Sequence, residues 1–84
     1  MIMNPKDRAK KDLDKLDNAM RAFDEAGLAK KYPVIIEYVE NYCTDAKHFY
    51  EKGEYFTAFG AANYAYGFID AILLIEGKKD EQTF

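Results

Sequence analysis

A chain of 84 residues with 12 Lys and Arg against 15 Asp and Glu, 49% hydrophobic and 32% charged, reads as one small folded domain rather than a disordered segment. Its length excludes a catalytic domain beside a substrate domain, and its single cysteine excludes an intrachain disulfide and a cysteine-based zinc site. The net charge of −3 is uneven: residues 1–31 hold eight bases against six acids and residues 32–84 hold four against nine, so neither half concentrates Lys and Arg as a nucleic-acid surface does.

The stretch "MIMNPKDRAKK" is too charged and too short in apolar length for a signal peptide. Together with the lone thiol this leads to the expectation of a cytoplasmic protein. The first helix is expected over residues 5–26. Asn4 suits the N-cap, Pro5 the first helical position, Asp7 the first turn, and Gly27 the stop. Ala9, Leu13, Leu16, Ala19, Met20, Phe23 and Ala26 recur at helical spacing and form one apolar stripe.

Residues 27–32, "GLAKKY", read as a short connection. Pro33 then opens a second helix over 33–52, stopped by Gly53. Ile35, Ile36, Tyr38, Val39, Tyr42, Cys43, Ala46, Phe49 and Tyr50 fall on its apolar arc, with Glu37, Glu40, Asp45 and His48 opposite. The β-branched run "VII" suggests a strand, but the helical period continues through it for over four turns, so helix prevails. A third helix is expected over 54–76, ended by Gly77. The tight connection at Gly53 makes the last two helices an antiparallel hairpin. The expected fold is therefore all-α, a three-helix up-and-down bundle with a frayed tail over 77–84.

The third helix is apolar almost all round. Tyr55, Phe59, Ala62, Tyr66, Ile69 and Leu73 line one side, and Ala58, Ala61, Ala65, Phe68, Ile72 and Ile75 continue it. What remains is a strip of Phe56, Gly60, Asn63, Gly67, Asp70 and Leu74, edged by Tyr64. A lone three-helix bundle normally shows water one polar face of each helix. Three roles compete for this strip. Residues 56–75 have the length of a membrane span, but Asp70 inside it would cost roughly 2.5–3.5 kcal/mol at the bilayer centre, and two amphipathic helices are available as cover. No membrane association is therefore expected.

The second role is packing. Each glycine costs a helix about 1 kcal/mol relative to alanine, and close approach of another backbone is a sufficient reason for that cost. The approaching helix could belong to the same chain or to a second copy in a homodimer. The third role is a ligand groove, with Asn63, Tyr64 and Asp70 beside the trough left by Gly60 and Gly67. There the alternative is an Asp70 that simply accepts a hydrogen bond from a tyrosine or pairs with a lysine of the first helix.

Catalytic and metal signals are thin. Asp45 and His48 share one helical face as a carboxylate-x-x-His pair, but di-iron bundles need one such pair from each of two helices. The chain has no serine, Cys43 sits on the apolar arc as a core thiol, and no glycine-rich phosphate loop follows a strand. No catalytic residue, metal site or cofactor is expected.

The stretch "YCTDAKHFYEKGEYFTAFGAANYAYGFIDA", residues 42–71, resembles the archaeal domain-of-unknown-function family 357. The residues carrying the resemblance are Asp45, Ala46, Phe49, Gly53, Ala58, Phe59, Tyr64, Ala65, Tyr66, Gly67, Asp70 and Ala71. The first helix agrees only in being charged and amphipathic. The resemblance implies a small helical bundle in an archaeal cytosol, with relatives attached to nucleotidyltransferase-like domains, and it brings no catalytic residues. The expected function is a non-enzymatic helical module that self-associates through the third helix and docks onto a partner protein. The alternative is a small-ligand or nucleotide-binding bundle, accessory to a nucleotidyltransferase-like enzyme. The residues expected to serve either role are Phe56, Gly60, Asn63, Tyr64, Gly67, Asp70 and Leu74.

Overall fold

A computed structural model describes residues 3–77 and contains four helices: α1 (Pro5–Glu25), α2 (Leu28–Lys31), α3 (Pro33–Glu51) and α4 (Tyr55–Ile75). Among the described residues there is no strand. The three long helices start and stop within one residue of their expected limits. The expected tail lies, beyond Gly77, outside the described residues.

The boundaries follow from local chemistry. The Asp7 N–H donates to Asn4 Oδ1 at 2.9 Å, capping α1. Gly27 at φ 77 turns the chain out of α1. The α3–α4 corner is a Schellman turn: Gly53, at φ 81, donates its N–H to the Tyr50 carbonyl (3.0 Å), and Glu54 donates to Phe49 (2.9 Å). A left-handed residue is needed there, and glycine supplies it without a Cβ penalty.

The connection over residues 27–32 is not plain loop. It contains α2, a single helical turn closed by the Tyr32 N–H on the Leu28 carbonyl at 2.9 Å. Leu28 is buried and pins this turn to the core. At its far end Tyr32 Oη donates to Glu76 at 2.5 Å and Lys31 Nζ donates to the same carboxylate oxygen at 2.8 Å. The turn before α3 is thereby clasped to the residue that ends α4.

Helix α4 is the central element. It packs against both α1 and α3, which touch each other far less. The Cα positions span 35 × 28 × 15 Å, so the bundle is slab-like. The core gathers Leu13, Leu16, Ala19 and Phe23 from α1, Val39, Cys43 and Ala46 from α3, and Ala62, Ala65, Ile69, Ile72 and Leu73 from α4. With α1 and α3 on its two flanks, α4 keeps one long side outward.

Two expectations about facing need correction. Tyr38, expected on the packed arc of α3, is exposed, and its ring instead stacks on Phe68 at 6.3 Å. Ile75, expected to continue the packing surface of α4, is 78% exposed, because it lies in the last residue of that helix, beyond the packed stretch that ends at Leu73. Helix α4 is also long and apolar enough to cross a membrane by length and composition alone.

Candidate functional site

The outward side of α4 is the strip expected from the sequence. Phe56 is 80% exposed and Leu74 50%, at opposite ends of the helix, and Gly60, Tyr64 and Gly67 are exposed between them. Asn63 and Asp70 are half-buried along its α1 edge. A Cβ placed on Gly60 or Gly67 meets no atom within 4 Å. Neither glycine therefore admits another helix of the described chain, and the intrachain version of the packing role is excluded there.

Asn63 has a structural job on the α1 side. Its Nδ2 donates to Asp12 Oδ2 at 3.2 Å and to the Phe59 carbonyl at 3.0 Å. Asp12 is 7% exposed and also accepts from Arg8 Nε at 3.4 Å. A buried carboxylate needs such partners, because an unpaired charge away from water is costly. Arg8 in turn lies over the Phe59 ring at 5.0 Å, and Lys15 lies over Tyr66 at 4.2 Å. The α1 rim of the strip is thus basic and held against aromatic rings.

The α3 rim is aromatic. Tyr64 contacts Tyr42 (4.8 Å between centroids) and Phe68 (5.1 Å, edge to face), and Phe68 stacks on Tyr38. An open groove of about 460 Å³ runs along this rim, lined by Ile35, Asn63, Tyr64, Gly67, Phe68, Ala71 and Ile72. Its lining is apolar except for the Asn63 amide and the Tyr64 hydroxyl.

The structure therefore brings Gly60, Asn63, Tyr64, Gly67 and Asp70 onto one side of the molecule, with Phe56 and Leu74 bracketing them. Sequence reasoning missed Asp12. A signal was present, since Asp12 falls inside the apolar stripe of α1, three residues after Ala9 and four before Leu16.

The remaining reactive groups are apart from this face. Burial pushes the Cys43 thiol up from its ordinary value, with Asp17 adding to the shift, and Sγ donates to Asp17 Oδ1 at 3.7 Å. Such a thiol stays protonated at neutral pH and is a poor nucleophile. Asp45 and His48 are exposed on α3, with the His48 ring against Phe49 at 5.7 Å. Among the described residues no three His, Cys, Asp or Glu side chains converge as metal ligands.

A family model described as a protein of unknown function (DUF357) matches residues 8–76. The match reaches back through α1, further than the likeness over 42–71 indicated. No curated protein and no solved structure matches the chain.

Proposed function

Because this chain belongs to the DUF357 family, whose description carries no activity, we propose from its geometry a non-enzymatic helical module that self-associates through the outward side of α4. The observation that carries this reading is the pairing of exposed apolar ends with an empty middle. Phe56 and Leu74 stand in solvent, and a Cβ added at Gly60 or Gly67 would meet no other part of the described chain within 4 Å. Fully burying a side chain of either size is worth about 1.5–3 kcal/mol, and a chain of this length has little core to spare.

Light scattering at micromolar concentration tests the reading. A dimer or larger species is expected; a monomer throughout that range ends it. Docking onto a partner protein, including a nucleotidyltransferase-like enzyme, belongs to the same proposal through the family resemblance. So does a cytoplasmic setting in an archaeal cell, supported by the single buried thiol. In this reading α4 owes its hydropathy to being the central helix of a bundle, flanked by α1 and α3 on both sides.

A second reading has its own support in the groove beside Tyr64 and Phe68. Its size and apolar lining suit a small ligand with one flat ring, held by stacking and by the Asn63 amide. Native mass spectrometry of freshly purified protein would reveal a co-purifying small molecule. Tyr64→Ala, which removes an exposed ring that lines the groove, should release it under this reading while leaving the helical content unchanged.

A further inference from the structure

Phe56, Gly60, Asn63, Gly67, Asp70 and Leu74 follow one another at alternating steps of four and three residues. Steps of four and three in alternation recur every seven residues, the spacing of a helix that lies along another helix over its whole length. Resting on the self-association put forward above, we propose that the occupant of this face is a second copy of the chain. Its α4 runs antiparallel across the first, in the register that sets Phe56 against Leu74, Gly60 against Asp70 and Asn63 against Gly67.

Size selects this register. From Phe56 the strip runs large, small, medium, small, medium, large, so its reverse sets each small residue opposite a medium one and each large residue opposite the other. In the antiparallel pairing each glycine receives the one polar side chain of its layer, and the two bulky ends meet each other. A two-fold axis at the level between Asn63 and Gly67 then generates every layer twice, as an isologous interface requires. The parallel alternative sets glycine against glycine, which leaves voids, and asparagine against asparagine between them. Nothing within 4 Å of a Cβ at Gly60 or Gly67 obstructs the incoming side chains.

Charge selects the same register independently. A parallel pair would place Asp70 of one copy against Asp70 of the other, two like charges inside a desolvating contact. The antiparallel pair carries Asp70 of the second copy to the level of Gly60. There Arg8 of α1 is nearest, paired with the buried Asp12 on one side, with its side chain 59% exposed and lying over Phe59. The groove finds a use as well. Tyr64, one residue from the midpoint and exposed, comes to the level of the partner copy's groove on the shared α3 side, where Gly67 and Phe68 leave room for a ring.

Thiol cross-linking tests the register. In a Cys43→Ala background, Gly60→Cys and Asp70→Cys proteins are treated with a short bismaleimide, each alone and after mixing and exchange. Covalent dimer is expected from the mixture at several-fold the yield of either variant alone. Equal yield from Gly60→Cys alone overturns the register in favour of a parallel one. No covalent dimer from the mixture, while light scattering still reports a dimer, overturns it too and leaves self-association standing through another face. A monomeric unmodified chain removes both proposals together. Should Asp70→Cys fail to fold, Phe56→Cys mixed with Leu74→Cys interrogates the end layer, where both side chains are already exposed.

Discussion

The two sides of α4 use small residues in opposite ways. Inward, Ala58, Ala62 and Ala65 are buried where α1 and α3 pack against the helix. Alanine is small enough for that packing and is the best helix former. Outward, Gly60 and Gly67 face open space, and each weakens the helix by about 1 kcal/mol relative to alanine. If small size served only packing within the chain, the smallest residues would lie inside. They lie outside, so the demand for closeness on that side comes from something beyond the chain's own helices. The inner side is explained by the fold, and the outer side needs a partner.

Substitutions can break this contrast, beginning with the inner side. Ile69 is fully buried and lies opposite the strip. Ile69→Ala should cost about 2–5 kcal/mol in urea unfolding, the transfer loss plus the cavity left behind. Leu74→Ala, on the outer side, should act differently. Self-association makes the unfolding midpoint rise with protein concentration, and Leu74→Ala should flatten that rise rather than lower the midpoint uniformly. Equal, concentration-independent losses from both variants would erase the distinction between the two sides.

The rim where the sides meet comes next in magnitude. Asp12→Ala removes the acceptor that the Asn63 amide and the Arg8 guanidinium share and should cost about 1–3 kcal/mol. Asn63→Ala in turn leaves a buried carboxylate short of a donor. A double-mutant cycle between the two positions should return a clear coupling energy; additive losses would mean that the 3.2 Å contact contributes nothing.

Gly67→Ala sharpens the contrast further, because its two readouts should move in opposite directions. Within one chain the added methyl meets no atom and improves helix propensity, so the dissociated protein should gain up to about 1 kcal/mol. In the dimer the same methyl occupies the space proposed for Asn63 of the other copy, so the scattering mass should fall at a given concentration. A stability gain with no change in mass would show that the glycines serve no interface.

How far the sequence revealed these features varies with the length of the signal behind each. Asn4, Pro5, Gly27, Pro33 and Gly53 are strong local punctuation, and the long helices sit within a residue of where those marks put them. The outer strip was legible for a similar reason: six residues at fixed steps leave a period that background charges do not hide. Helix α2 was not, since one turn is too short to show a period and its anchor, Leu28, is a single buried side chain. Asp12 was hidden by composition, being one acid among many on a charged helix, although its place in the apolar stripe of α1 marked it. Tyr38 misled because an aromatic residue on an apolar arc can stack at the rim as readily as it fills the core.

The clasp between α2 and the end of α4 gives the smallest expected effect and a test of whether the missed turn matters. The hydrogen bond to Glu76 raises the Tyr32 hydroxyl above its ordinary value of 10.0, and the same carboxylate raises Lys31 above 10.5. A folded-state value raised above the unfolded one contributes stability that is complete below the unfolded value and disappears as pH climbs through the folded one. The clasp should therefore be fully present at neutral pH and be lost in the alkaline range above 10.0. Both side chains are solvent-accessible, so water and salt screen the interaction and the change should be small. Comparing the urea midpoints of the wild type and Tyr32→Phe from pH 7 upward isolates the contribution of this one tyrosine among the seven. The two curves should be offset at neutral pH and converge as Tyr32 ionises. Parallel curves across the whole range would mean that α2 is held by Leu28 alone, and that the hydroxyl on Glu76 adds nothing to the closure of the bundle.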